Sequence, residues 1–86
     1  LTPIEIVDAH LARTESVGRG LSAFITLTAE RARARARELT PAVVGRLPLA
    51  GVPIAHKDLF ETAGIRTTGG SRLYEHYVPA HDATLV

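Results

Sequence analysis

The chain has 86 residues, 45% of them hydrophobic and 22% charged, which excludes a disordered polyelectrolyte and sets an upper bound of one small domain. Ten basic residues stand against nine acidic ones, a formal charge of +1, so no whole-chain basic field argues for nucleic acid. Cysteine is absent, which removes disulfides, thiolate catalysis and Cys-based zinc sites, and no apolar run has the roughly 18 residues that a membrane helix needs.

The first element is written in its capping residues. Thr2 fits an N-cap, Pro3 the first helical position, and Glu5 completes a capping box. Ile4, Val7 and Leu11 then share one face at helical spacing. The helix is expected to run to about Ser16 and to stop at Gly18 and Gly20. Leu21-Ser22-Ala23-Phe24-Ile25-Thr26-Leu27 alternates and is rich in β-branched and aromatic residues, which predicts a short strand.

Between Thr28 and Leu39 the run Arg31-Ala32-Arg33-Ala34-Arg35-Ala36-Arg37 mimics a strand by its alternation. Alanine and arginine are nevertheless strong helix formers, and alanine is poor in sheets. On a helical wheel Ala29, Ala32, Ala36 and Leu39 fall on one side as a packing stripe. Glu30 can pair with Arg33, and Arg35 with Glu38, at i,i+3. The arginines spread to both sides of the wheel, so a solvated helix is expected here ahead of an RNA- or membrane-facing patch.

Thr40 to Leu47 is expected to be a connector, broken by Pro41 and Pro48 with Gly45 as a turn residue. Leu49-Ala50-Gly51-Val52-Pro53-Ile54-Ala55-His56 is almost unbroken apolar, which suits a strand covered on both faces. Pro53 cannot donate to a ladder, so the strand is expected to begin near Val52 and to end at Lys57-Asp58. His81-Asp82-Ala83-Thr84-Leu85-Val86 resembles an Asp cap and the first turn of another helix. The pattern as a whole predicts α/β organisation. With no methionine in the chain and a helix only just begun at its end, a segment of a longer protein is expected, a single partial domain over residues 1–86.

Lys57 is the only lysine, and it stands where the predicted strand gives out into a loop, a place where α/β proteins put ligand-binding and catalytic groups. Desolvation at the rim of an apolar strand favours a neutral amine. A lysine serving as a base near pH 7 must drop about 3 units from about 10.4, a cost of about 4 kcal/mol. That demands burial and a side chain aimed away from Asp58. The alternative is a surface lysine paired with an acid.

Gly69-Gly70-Ser71 after Thr67-Thr68 forms either a backbone nest for an anion or a tight turn, and the turn is the expectation because P-loop and dinucleotide glycine spacings are absent. Ser71 is expected to be a cap or turn residue. His56, His76 and His81, with Asp58, Glu75 and Asp82, lack the i,i+4 pairing of a zinc helix, so neither a metal nor a cofactor is expected. Tyr74 and Tyr77 flank Glu75 and His76 in an amphipathic patch, expected to pack against polypeptide outside this chain.

Three ordered blocks then carry a family resemblance: Pro48 through Asp58, Thr67 through Ser71, and Val78 through Val86. Together the chain resembles the N-terminal part of the amidase signature family, closely in its second half and more loosely over residues 1–40. The resemblance implies a mixed β-sheet surrounded by helices, incomplete over these residues, and hydrolysis of amides through a Ser–cis-Ser–Lys triad. Lys57 would be the lysine of that triad; Ser16, Ser22 and Ser71 match neither serine. One triad member alone should not turn over, so these residues by themselves are expected to be inactive. The implied partners are a small-molecule amide and the remainder of the parent chain, in the cytoplasm, with no membrane and no nucleic acid.

A sibling possibility is the glutaminase subunit of a tRNA-dependent amidotransferase, for which nucleic acid would be expected. His56-Lys57-Asp58-Leu59-Phe60 and the lack of Cys near Ser71 incline the reading towards a stand-alone amidase. A non-catalytic scaffold that keeps the fold, and RNA binding by the arginine helix, are the other classes.

Overall fold

A computed structural model describes all 86 residues, whose contacts divide into two compact units, 1–54 and 55–86.

In the first unit, helix α1 (Pro3–Arg13) starts as its sequence dictates. The Thr2 hydroxyl accepts from the Glu5 amide at 3.3 Å, and the Glu5 carboxylate accepts from the Thr2 amide at 2.7 Å. Those two bonds satisfy orphan donors of the first turn. They also hold the Glu5 carboxyl below the usual carboxylate range, chiefly through the backbone bond from Thr2. Val7 is buried and Ile4 and Leu11 half-buried, so the predicted face is the packing face.

The helix does not stop at Gly18. A π-helical stretch, Thr14–Gly18, continues into α2 (Arg19–Leu21), and the chain turns only at Ser22, with φ of 49°. Glycine ends helices by adopting a left-handed conformation, but Gly18 keeps ordinary helical angles of −61° and −34°. Its lack of a side chain serves close packing instead. A Cβ there would meet Thr14 Cγ2 at 3.3 Å and the Phe24 ring at 3.7 Å.

Helix α3 (Ala29–Glu38) lies against α1, and Ala36, 5% exposed, and Val7, 8% exposed, are the buried hydrophobic residues. Ala29, Ala32 and Leu39 are half-buried, as the wheel required. Glu30–Arg33 at 2.9 Å and Arg35–Glu38 at 2.8 Å are the expected i,i+3 pairs. Arg33 also reaches Asp8 on α1 at 2.8 Å, and these bonds hold its guanidinium charged above the ordinary range.

Other expectations of the sequence are corrected. The segment Thr40 to Leu47 contains helix α4 (Pro41–Arg46), because Thr40 caps Val43 at 3.4 Å and Pro41 opens it, the same signal as Thr2-Pro3. Residues 21–27 and 52–58 form no strand, and the mixed sheet of an α/β fold is not built by these residues; their one β-bridge, Thr62–Ile65, is isolated. A strand is held by a neighbour's backbone, and neither segment has one alongside. Finally, Asp82 caps no helix of its own: it accepts from the Ala63 amide, 19 residues earlier, at 2.8 Å.

The second unit is a set of turns joined by backbone bonds. Gly64 donates to the Pro79 carbonyl and Thr67 to that of Tyr77, both at 3.0 Å, while Ala83 donates to that of Glu61 at 2.7 Å. Its buried residues include Thr62, Thr67 and Thr68, whose hydroxyls donate to the Phe60 carbonyl, the Ile65 carbonyl and Asp58. Burying a hydroxyl costs free energy unless it is bonded, and here each one is. Ser71 is a cap, accepting from Leu73 at 3.2 Å at the start of a 3-10 turn, Arg72–Tyr74. Tyr74 and Tyr77 meet edge to face, ring centres 6.0 Å apart. No helix is long and apolar enough to cross a membrane.

Candidate functional site

The irregular segment 52–57 ends at Lys57, whose carbonyl accepts from the Leu59 amide at 2.7 Å and the Phe60 amide at 3.0 Å. The chain thus reverses immediately after the lysine. On its other side the His56 ring Nδ1 lies 3.4 Å from the Thr62 hydroxyl. The backbone bearing Lys57 is therefore tied on both flanks.

Asp58 makes the stronger tie. Its Oδ1 accepts from the Thr68 amide at 2.7 Å, its Oδ2 from the Thr68 hydroxyl and, at 3.4 Å, from the Gly70 amide. Its carbonyl accepts from the Gly69 amide at 2.8 Å. Gly69 and Gly70 have φ of 58° and 72°, a left-handed pair that glycine adopts without a Cβ clash. The Gly-Gly segment is thus a tight turn, and the anion that the Thr68 and Gly70 amides face is the side chain of Asp58. Donation from the Thr68 hydroxyl, and then from its amide, holds the Asp58 carboxyl below the usual carboxylate range.

The Lys57 side chain is exposed and its amine makes no hydrogen bond or ion pair, whereas the side chains of His56 and Asp58 are engaged within the unit. The desolvated setting expected for a neutral amine is not formed by these residues, because the covered strand that was to supply it is absent. Val52 and Ile54, which should have been its core, are 55% and 75% exposed.

Sequence reasoning gave Thr68 no role of its own. A signal is there: a threonine directly before two glycines, a setting in which amides and a hydroxyl converge on one acceptor. No group of three or more His, Asp or Glu side chains comes together as a metal site. A cleft of about 350 Å³ between α1 and α3, edged by Asp8, Glu15 and Arg33, is lined by no serine, threonine, histidine or lysine.

The family model described as Amidase matches residues 5–86. The chain belongs to the amidase family. Among curated proteins, this amidase-family chain is 47% identical over 88 residues to a glutamyl-tRNA(Gln) amidotransferase subunit from Rhodospirillum rubrum, covering 98% of the chain and 17% of the relative. It is 43% identical over 88 residues to the protein of that name from a Roseiflexus species, covering 100% of the chain and 18% of the relative. A Synechococcus counterpart is 48% identical over 84 residues, covering 94% of the chain and 17% of the relative. The amidase-family chain thus spans less than a fifth of the length of these relatives. No solved structure matches it significantly.

Proposed function

We propose that this chain contributes the general base, Lys57, to an enzyme that hydrolyses carboxylic amides through a Ser–cis-Ser–Lys triad. Family membership over residues 5–86 is the observation that carries the reading. Lys57 supports it as the sole lysine, placed where the backbone is tied on both sides and its amine is not consumed by an ion pair.

The chemistry is that of an activated alcohol. A neutral lysine amine takes the proton of a bridging serine as that serine takes the proton of the nucleophilic one. The nucleophile's oxygen attacks the amide carbonyl, the C–N bond breaks, and the relayed proton leaves with the amine or ammonia. Water then cleaves the acyl-serine ester, returning the serine and releasing a carboxylic acid. Ser16, Ser22 and Ser71 fill neither serine role in this reading, so both serines, and the burial that keeps the amine neutral, come from polypeptide outside residues 1–86. Fixing the base in register matters to the rate, since a displacement of about 1 Å can cost about 100-fold.

The names of the relatives support a second reading within the same chemistry. Each relative is one subunit of a glutamyl-tRNA(Gln) amidotransferase. On that reading the amide is glutamine, and the ammonia passes to an acceptor on charged tRNA with the help of other subunits. In either case the protein acts in the cytoplasm, with the amide substrate and the rest of the polypeptide as partners.

The test uses the full-length protein with a panel of primary amides, glutamine among them, in the presence and absence of glutamyl-tRNA(Gln). Ammonia release that Lys57→Ala abolishes, with the fold intact, is expected. Glutamine turnover that rises with charged tRNA selects the second reading, and unchanged hydrolysis by Lys57→Ala rejects Lys57 as the base.

A further inference from the structure

We infer that Asp58 and Thr68 form a positioning clamp for Lys57, in which the Asp58 carboxylate, held by the Thr68 amide, the Thr68 hydroxyl and the Gly70 amide, fixes the backbone from which the lysine projects. The inference rests on the proposed role of Lys57 and adds to it the residues that set its place.

Three features lead to it. The clamp joins residues ten to twelve apart, so it closes a loop of the chain and is no local turn bond. It is doubled, because the Asp58 carbonyl also receives the Gly69 amide, so side chain and backbone of one residue dock on the same turn. It is also protected, Thr68 being 8% exposed.

The identity of the acid follows from the same geometry. A carboxylate beside a lysine would ordinarily pair with it and hold it protonated. Asp58 instead spends its oxygens on donors of the 68–70 turn, which leaves the adjacent amine without a counter-ion. Charge-assisted bonds of this kind are about twice as strong as neutral ones. Asparagine could keep the bond from the Thr68 amide but would turn a donor towards Gly70. Threonine at 68 is needed for two donors from one residue, one from the backbone and one from the side chain.

A positioning role separates from a merely structural one in the kinetics of the full-length enzyme on its amide substrate. Asp58→Ala is expected to lower kcat about 100-fold with KM nearly unchanged, the signature of a misplaced base. Thr68→Val keeps the shape and removes only the hydroxyl, and about a tenfold loss of kcat is expected, the equivalent of one hydrogen bond. Thr68→Ser returns that hydroxyl and should restore kcat. If Asp58→Ala does not fold, the Thr68→Val and Thr68→Ser pair decides the matter. Wild-type kcat in a folded Thr68→Val, or a loss confined to KM or to thermal stability, overturns the clamp. Lys57→Ala is run beside them: if it retains activity the base assignment falls, whereas an inactive Lys57→Ala beside a fully active Asp58→Ala removes the clamp alone.

Discussion

The carboxylate of Asp58 bonds to Thr68, ten residues further on, and leaves its immediate neighbour Lys57 unpaired. A carboxylate and an amine adjacent in sequence therefore do not pair with each other, and the consequences are measurable.

Acid should loosen this arrangement first. The Thr68 donors hold the Asp58 carboxyl below the usual range, so its folded-state pKa is depressed relative to the unfolded chain. The unfolded state then binds the proton more readily, and the clamp's contribution is fully present above the ordinary aspartate value of about 4 and lost as pH falls through the depressed one. Urea unfolding of the protein and of Asp58→Asn, followed from pH 7 to pH 2, should show a stability gap that closes only at the acid end. A gap that stays constant over that range would contradict the assignment.

Gly70 offers a backbone test of the same turn. Its φ of 72° is left-handed, and no atom lies within 4 Å of the place a Cβ would take. A substitution there meets conformational strain and no clash. Gly70→Ala should cost about 1–2 kcal/mol, and Gly70→Asn less, since asparagine tolerates this region. Chemical denaturation of the two variants gives the difference directly. Equal losses would mean that the φ is not what limits this position.

These examples show what kind of structure the sequence discloses. The capping box at Thr2 and Glu5, the i,i+3 pairs of α3 and the cap at Ser71 each depend on residues within one turn, and all are readable. The predicted strands are not, because alternation at 21–27 and an apolar run at 49–56 describe a surface that wants a neighbour, without supplying one. Gly18 misleads because a glycine between helical segments can be a stop or a place for a ring, and only the position of Phe24 tells which. Asp82 is legible as an acceptor, but its donor is 19 residues away and that of Asp58 is 10 away, separations that no local pattern reports. Thr40-Pro41 repeats Thr2-Pro3 and carries the same helix start, hidden behind the breakers that follow it. Lys57 is marked by composition and motif; its exposure follows from the missing strand, which is again a matter of partners.

The contact between α1 and α3 turns on a small residue. Ala36 is 5% exposed, whereas Ala34, two positions earlier on the same helix, lies less deep. Ala36→Leu should therefore cost about 1–3 kcal/mol by overpacking. Ala34→Leu is the control, with the same propensity change and an effect within about 0.5 kcal/mol. Thermal unfolding of both variants checks the contrast, and equal effects would show that the alanine stripe is not the packing face.

At alkaline pH the sensitive group is Tyr77. Its hydroxyl donates to Glu61 Oε1 at 2.9 Å, and that bond, with partial desolvation and the negative charge of Glu61, raises the phenol above its ordinary value. Ionisation would remove the donor and set two negative charges together. Because the folded pKa is the higher one, the stabilisation is complete below the unfolded value of about 10 and disappears as pH rises through the folded value. Tyr77→Phe keeps the ring that meets Tyr74 edge to face and loses only the hydroxyl. The variant should be less stable than the parent at neutral pH, and the difference should shrink above about pH 10. A difference absorbance titration near the phenolate band identifies the group: the late-ionising tyrosine should vanish in Tyr77→Phe and shift down in Glu61→Gln. A titration unchanged by Glu61→Gln would rule out the carboxylate as the cause.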